Sequence, residues 1–190
     1  MLIFFGLVVL AFFGIFIKMN YSVDTYLLFA SRNLEYIQEY VRSGRFFTAF
    51  LFKFFQFLKF EPEVMYVVSY LIGIVCTSCA IYILYNVLSK YINNKTINSI
   101  LSIMIIVNPF IIELWLFVET GIMIMSILFC VLAYKYFDKY LEKYQNKEII
   151  LSIFFMTIAV FSYQGTVALF LALSVISIVA NNKNYLKNTL

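Results

Sequence analysis

The sequence predicts an all-α, polytopic membrane protein with about six transmembrane helices. Of its 190 residues, 64% are hydrophobic and only 13% are charged, and the mean hydropathy is +0.93. A water-soluble domain has roughly 25% charged and 45–50% apolar residues. The apolar excess cannot be hidden in one core, because a soluble domain of this size leaves about a third of its surface in water. Apolar runs near the length of about 20 residues that crosses a bilayer recur along the chain.

Six apolar segments are predicted to cross the membrane within a single domain, 1–190. The first segment lacks a basic leading region and a small-residue cleavage site, so it is interpreted as a retained helix rather than a signal peptide. Polar breaks at 108–109 and 162–165 divide two longer runs into pairs of helices, and for the second run this hairpin is preferred to one tilted helix. The predicted spans are 1–17, 64–88, 98–112, 117–136, 149–161 and 166–180.

Lysine residues occur in alternate loops, and this alternation predicts the orientation. The loops 89–97 and 134–148 and the C-terminal tail contain lysines, whereas the turns 108–119 and 162–165 contain neither Lys nor Arg. Short basic loops remain in the cytoplasm. We therefore expect a multi-pass protein of a bacterial cytoplasmic membrane, with a cytoplasmic N-terminus. Segment 20–63 and the two uncharged turns would then lie on the outer face.

Segment 20–63 is predicted to form amphipathic helices at the outer membrane surface. Its first part spaces apolar residues three and four apart, which is typical of an amphipathic helix. Residues 46–60 would form a helix of about 22 Å, short for a hydrocarbon core of about 30 Å, so an interfacial position is preferred to a span. A span here would invert every later orientation. The segment contains nine charged residues: Asp24, Arg32, Glu35, Glu39, Arg42, Arg45, Lys53, Lys59 and Glu61.

The charged residues of this segment are candidates for function, because charge near hydrocarbon is costly. Asp24 can take a proton from an acceptor hydroxyl, or hold a divalent cation on a phosphate substrate. The same position suits a helix N-cap, and the two roles are compatible. Arg42 and Arg45 suit bidentate contact with phosphate, or alternatively with lipid headgroups. Gly44 permits a turn between them.

Two further polar patches are candidates for binding substrate on the same face. Glu113 and Glu119 stand in the predicted turn 108–119, where they can pair with the two arginines across the outer surface. Tyr163 and Gln164 interrupt an apolar run, and they can contact a sugar or lie at the membrane interface, where Tyr is frequent. A structural ion pair is the alternative role for the two glutamates.

Several other classes of site are not supported by the sequence. It contains no histidine, the commonest general base and metal ligand, and no phosphate-binding glycine loop or Ser/His/Asp set. Cys76, Cys79 and Cys130 lie in apolar runs, so a disulfide framework is not predicted. The Cys76-x-x-Cys79 pair is interpreted as helix packing by small residues. No cofactor is predicted. A divalent cation could take part, but no metal-binding motif in the sequence supports one. Nucleic-acid binding has no support either.

The order of the polar patches resembles the GtrII-like glucosyltransferase family. The resemblance covers nearly the whole chain, through short motifs: Asp24, Gly44-Arg45, Pro109 followed by Phe117-Val118-Glu119, and Ser162-Tyr163-Gln164. Glu119 stands where the family more often has Asp, and the Asp24 region has one carboxylate rather than a pair. Such proteins are polytopic and similar in plan to GT-C glycosyltransferases, which usually have more helices, so the chain is expected to be an N-terminal portion.

The resemblance implies an enzyme that transfers glucose from a polyprenyl-phosphate donor to O-antigen or a related cell-surface polysaccharide, outside the cytoplasmic membrane. It implies that Arg45, with Arg42, holds the donor phosphate and that Asp24 activates the acceptor hydroxyl. Glu119 and Gln164 would position the sugars. The donor's lipid tail would lie in the bilayer.

The alternative is a non-catalytic protein of polysaccharide assembly, such as a flippase or polymerase component. A flippase should line a path through the membrane with polar residues. Here the predicted helices are nearly free of charge and the polar groups collect at one face, which favours surface chemistry. A polymerase stays open as an alternative, because it also acts on lipid-linked sugars outside the cell.

Overall fold

The computed structural model describes residues 1–14, 34–60, 62–108, 111, 114–115 and 120–189, and all regular structure in these residues is helical. A short 3-10 turn, Gln164–Thr166, separates the last two α-helices. The α-helices described are α1 Leu2–Phe13, α2 Leu34–Arg42, α3 Phe46–Phe57, α4 Pro62–Leu88, α5 Lys95–Ile106, α6 Thr120–Lys143, α7 Asn146–Ser162 and α8 Val167–Thr189.

Helix α5 begins and ends where local chemistry requires. The side chain of Asn94 accepts hydrogen bonds from the backbone N–H groups of Thr96 and Ile97, at 3.0 and 3.1 Å, which caps the first turn. The helix ends at Ile106, shortly before Pro109, because a proline disfavours helical backbone in the residue before it. The helix therefore lies a few residues earlier than the predicted 98–112.

Helix α6 continues to Lys143, well past residue 136, so most of the predicted loop 134–148 is helical. The buried face of the helix explains the extension. Ile127, Val131, Tyr134 and Asp138 follow one another at intervals of four, three and four residues, and each is at most 2% exposed. This spacing keeps one side of the helix against its neighbours over three turns, and the last of these turns continues past residue 136.

Helices α4 and α6 lie side by side in parallel at the centre of the bundle. Near their starts, the backbone N–H of Gly121 donates to the hydroxyl of Ser69, with an N–Oγ distance of 3.0 Å. A Cβ at Gly121 would overlap the backbone carbonyl of Ser69, so this approach requires glycine. Past the other end of α4, Lys90 pairs with Asp138 of α6.

Helix α1 packs antiparallel to α4. The ring of Phe5 lies near that of Tyr85, late in α4, with 5.9 Å between centroids. Phe13, at the other end of α1, accepts a hydrogen bond at its carbonyl from the hydroxyl of Tyr70, early in α4. The start of the chain is therefore at the end of the bundle where α4 finishes.

Helix α7 returns along α6 in the opposite direction. The hydroxyl of Ser152 donates to the carbonyl of Ala133 at 2.8 Å. Three residues later in α7, the ring of Phe155 stacks on that of Phe129, four residues earlier in α6, with 6.2 Å between centroids. From the first contact to the second, the residue number rises in α7 and falls in α6, so the two helices are antiparallel.

Helix α8 reverses again and runs parallel to α6. Near its start, the thiol of Cys130 lies 3.4 Å from the carbonyl oxygen of Thr166. Further along, the hydroxyl of Ser177 donates to Asp138 at 2.7 Å. Helices α7 and α8 therefore form the hairpin expected from the polar break at 162–165.

Helices α2 and α3 form a second, shorter antiparallel hairpin. Gly44 has φ +78°, the backbone N–H of Gly44 donates to Val41 at 3.0 Å, and that of Arg45 donates to Tyr40 at 2.8 Å. This is a Schellman turn, in which glycine takes the left-handed conformation that ends a helix. Tyr40 then stacks on Phe52 across the hairpin, with 5.5 Å between ring centroids.

A buried carboxylate organises the end of the bundle that holds the 89–94 and 144–145 turns, which we call the basic end. Asp138 is fully buried and lies 2.8 Å from Lys90 and 2.5 Å from the hydroxyl of Tyr91. Burial, and then the hydrogen bond and charge of Asp138, raise the pKa of Tyr91, so its phenol remains a donor. Burial by itself lowers the pKa of Lys90, but Asp138 and Glu142 together raise it above its ordinary value.

Two helices are long and apolar enough to cross a membrane, and they indicate association with one. Large apolar side chains on the outward face of α4, such as Leu71 at 53% and Val75 at 60% exposed, fit a surface in contact with lipid. The two candidate spans are Val64–Leu88 and Gly121–Lys143; shorter apolar helices are Leu2–Phe13, Phe46–Phe57, Lys95–Ile106 and Gln164–Ala180. Crossing by six helices stays a prediction.

We expect Lys90→Met to destabilise the bundle, because it leaves the buried Asp138 without its cation. Breaking a buried pair costs about 3–5 kcal/mol, and we expect roughly 2–3 kcal/mol here, since the side chain of Lys90 is 36% exposed. Thermal unfolding in detergent measures the change. Lys95→Met is the control, because Lys95 is exposed and has no ion pair within the described part of the chain. Equal midpoints for the two variants would contradict the assignment.

Candidate functional site

The turn between α2 and α3 meets the turn between α7 and α8. The side-chain amide of Gln164 donates to the carbonyl of Ser43 at 2.9 Å, and the hydroxyl of Thr48 donates to the carbonyl of Ser162 at 2.9 Å. Both bonds join segments more than one hundred residues apart in sequence. A Cβ at Gly44 would lie 3.1 Å from the amide nitrogen of Gln164, so glycine also permits the close approach of the two turns.

Arg45 is the cation at this junction. Its guanidinium carbon lies 5.2 Å from the centroid of the Tyr163 ring, in cation–π geometry. The Nε atom is buried and has no hydrogen-bond partner among the described residues, and no ion pair of Arg45 occurs there either. A buried N–H of a charged group costs free energy when it is unpaired. The aromatic ring therefore holds the guanidinium in place. Among the described residues, the Nε–H group is left without a hydrogen-bond partner.

The start of α3 adds to the positive potential around Arg45. Arg45 is the N-cap of this 12-residue helix, and its side chain makes no capping hydrogen bond. The first N–H groups of a helix have no partner within it and carry a partial positive charge. A guanidinium beside a helix N-terminus is suited to an anion of the size of phosphate.

The start of α3 packs against α6. The ring of Phe47, beside the turn, packs edge-on against that of Phe129, with 5.8 Å between centroids. Phe129 follows Gly121 by eight residues, which is about 12 Å along a helix. The aromatic start of α3 is therefore held against an apolar part of α6.

The structure brings together three of the residues predicted to form the site: Arg45, Tyr163 and Gln164. Arg42 lies one turn earlier and is directed elsewhere, since its guanidinium pairs with Glu39 at 2.6 Å and its side chain is 71% exposed. Such an exposed ion pair contributes little free energy. Arg42 is therefore free to leave Glu39 for another anion.

Asp24, Glu113 and Glu119 lie outside the described residues, as does Pro109. The predicted ion pairs between the two glutamates and the arginines therefore stay predictions, as does the catalytic assignment of Asp24. Within the described ranges, no group of three Asp, Glu, Cys or His residues is placed to hold a metal ion.

Two structural features were missed in the sequence analysis. Thr48, which links the two turns, has no signal beyond its position as the one hydroxyl residue in an aromatic helix. Asp138 was treated as part of a loop, although its spacing from Tyr134 and Val131 continues the buried face of α6. That spacing could have shown that a carboxylate is buried there and needs the cation of Lys90.

The contact between the two turns can be tested by crosslinking. With Cys76, Cys79 and Cys130 replaced by alanine, we expect a Ser43→Cys, Gln164→Cys pair to be joined efficiently by a short bifunctional thiol reagent in membranes. The readout is a shift in gel mobility after cleavage of the chain between the two positions. A Ser43→Cys, Ser89→Cys pair is the control, because Ser89 lies at the basic end. Equal crosslinking of both pairs would show that the two turns are not in contact.

A comparison with protein-family models identifies a match over residues 2–189 to the family described as glucosyl transferase GtrII. No curated protein and no solved structure matches the chain. The family match spans nearly the whole sequence, including both turns of the junction, and it confirms the resemblance noted from the short motifs. The chain belongs to the GtrII glucosyltransferase family, whose members act in the modification of cell-surface polysaccharide.

Proposed function

We propose that the chain takes part in the transfer of a glucosyl unit from a polyprenyl-phosphate donor to a cell-surface polysaccharide, at the outer face of a bacterial cytoplasmic membrane. The observation that carries this proposal is the guanidinium of Arg45, held over Tyr163 with a buried Nε that has no hydrogen-bond partner among the described residues. The assignment of glucosyl transfer rests on the family to which the chain belongs. The geometry supports the phosphate-linked form of the donor, since a guanidinium recognises phosphate by paired hydrogen bonds.

The proposed step is a displacement at the anomeric carbon of the donor. Asp24 takes the proton of the acceptor hydroxyl, whose oxygen forms the new bond to that carbon. The bond from carbon to the phosphate oxygen breaks, and polyprenyl phosphate leaves with one more negative charge. Arg45 and the start of α3 face this developing charge, which they stabilise more in the transition state than in the ground state.

The remaining residues are assigned to positioning. Gln164 fixes the α2–α3 turn through its bond to Ser43, and Tyr163 holds the guanidinium in place. In this proposal Arg42 supplies a second cation for the phosphate, while Glu113 and Glu119 contact the sugars. All of these groups would lie on one face of the membrane.

We infer the orientation of the bundle from its charges. The 89–94 and 144–145 turns come together at the basic end, beside Lys90 and Lys143, and the start of α1 is at the same end. Basic loops remain in the cytoplasm. With this end inside, the junction of the two turns is reached from the outer half of the bilayer, where lipid-linked sugars are presented.

Deletion of the gene tests the reaction class. We expect loss of one side-branch glucose from the surface polysaccharide, restored by the wild-type chain but not by Asp24→Asn, because the amide cannot accept the acceptor proton. Sugar composition of the purified polysaccharide is the readout, and immunoblotting of membranes controls for insertion of the variant. Shortened polysaccharide chains with intact side branches would instead indicate a polymerase, and full transfer by Asp24→Asn would remove that residue from the mechanism.

Arg45→Met should lower the rate of transfer by about 10²–10³-fold, the loss typical of one preorganised group that stabilises developing negative charge. Arg45→Lys should retain part of the activity, because it keeps the charge but not the planar fork. Initial rates in membranes with a radiolabelled donor measure both. Lys53→Met is the matched control, since it removes an exposed cation from the same helix. If Lys53→Met and Arg45→Met reduce the rate equally, the effect is one of general charge, and Arg45 does not bind the phosphate.

A further inference from the structure

A groove of about 400 Å³ lies along α7. Phe137 of α6 and Phe170 of α8 form its sides, and α7 forms its floor from Ile149 to Phe161. These end points are twelve residues apart, so the groove follows about 18 Å of helix. Its lining therefore extends over more than three turns of α7.

The chemistry of the groove fits a hydrocarbon chain. Its lining contains two hydroxyl groups, and both already donate to backbone carbonyls: Ser152 to Ala133 at 2.8 Å, and Thr157 to Ile153 at 2.9 Å. The other lining residues are aliphatic, aromatic or Met. Pockets for sugars or phosphates present convergent polar groups, and this one offers none with unused donors. Its ligand must therefore be recognised by apolar contact alone.

One end of the groove lies next to the junction that contains Arg45. Phe161, which lines that end, packs edge-on against Phe46, with 5.3 Å between centroids. Phe46 is the residue after Arg45, and Phe161 precedes Tyr163 by two residues. A molecule with its phosphate at Arg45 can therefore continue into the groove without leaving the surface of α7.

The groove is open to the side of the bundle. Ile153 in its lining is 60% exposed, and the neighbouring residues Ile150 and Phe154 are 63% and 55% exposed. In a membrane this side faces lipid, so a chain can enter laterally from the bilayer.

We propose that this groove binds the isoprenoid chain of the lipid-phosphate donor, with the units nearest the phosphate beside Phe161 and later units toward Ile149. The proposal rests on the assignment of the phosphate to Arg45 in the proposed function. It adds a specificity site: the protein selects its donor by the length and branching of the lipid, as well as by the phosphate and the sugar.

The first test fills the groove. Thr157→Trp places an indole in it without removing a partner of any other residue, because Thr157 bonds only within its own helix. We expect KM for a long-chain donor to rise about tenfold, equivalent to the loss of about two buried methylene groups. The rate with a donor of a single isoprene unit, which would contact Phe161 only, should stay within twofold of wild type. Phe154→Trp is the matched control, because Phe154 is exposed on the same helix but does not line the groove.

The second test does not depend on transfer. A non-transferable polyprenyl phosphate with a photoreactive group on its second isoprene unit should label peptides from 149–161 in wild type, and at least fivefold less in Thr157→Trp. Excess polyprenyl phosphate should prevent labelling, and excess phospholipid should not. Labelling without any transfer would support the groove and overturn the proposed function. Transfer with unchanged KM in Thr157→Trp, or labelling that phospholipid prevents equally, would overturn the groove and leave the function standing.

Discussion

The close contact between α4 and α6 is the constraint on which the rest of the bundle depends. It exists because Gly121 has no side chain where it meets the backbone of Ser69. In a bilayer, helices gain little from hydrophobic burial against each other, so close backbone approach and a few hydrogen bonds must hold them together. The ion pair between Lys90 and Asp138 joins the two helices at the other end, and together these contacts set the register of α4 on α6.

The site depends on how the neighbouring helices pack on α6. Helix α7 packs on α6 through Ser152, which determines how far along the bundle the α7–α8 turn lies. Helix α3 contacts α6 through the rings of Phe47 and Phe129. The two turns then meet, and Gln164 can bond Ser43. A change in how α3 or α7 packs on α6 would therefore separate Arg45 from Tyr163, although neither residue belongs to α6.

Much of the fold could be predicted from local pattern. Apolar length located α4 and, to within several residues, α5, and the polar break before Gly165 divided α7 from α8. Predictions failed where a local pattern was ambiguous. Lysines among apolar residues at 135–143 suggested a loop, yet the helix continues because one face stays buried around Asp138. The partners that bury that face are distant in sequence, so no local window contains them.

The sequence by itself determined the helical, apolar character of the chain, its family, and the residues available for chemistry, because these depend on composition and short motifs. It named Arg45, Tyr163 and Gln164 as candidates on one face of the membrane, without showing which of them are in contact. Tertiary structure alone decided that Arg45 stacks on Tyr163 and that an apolar groove ends beside Phe46, the residue after Arg45. The physical reason is that these contacts join turns more than one hundred residues apart, whose distance is set by the packing of the helices between them.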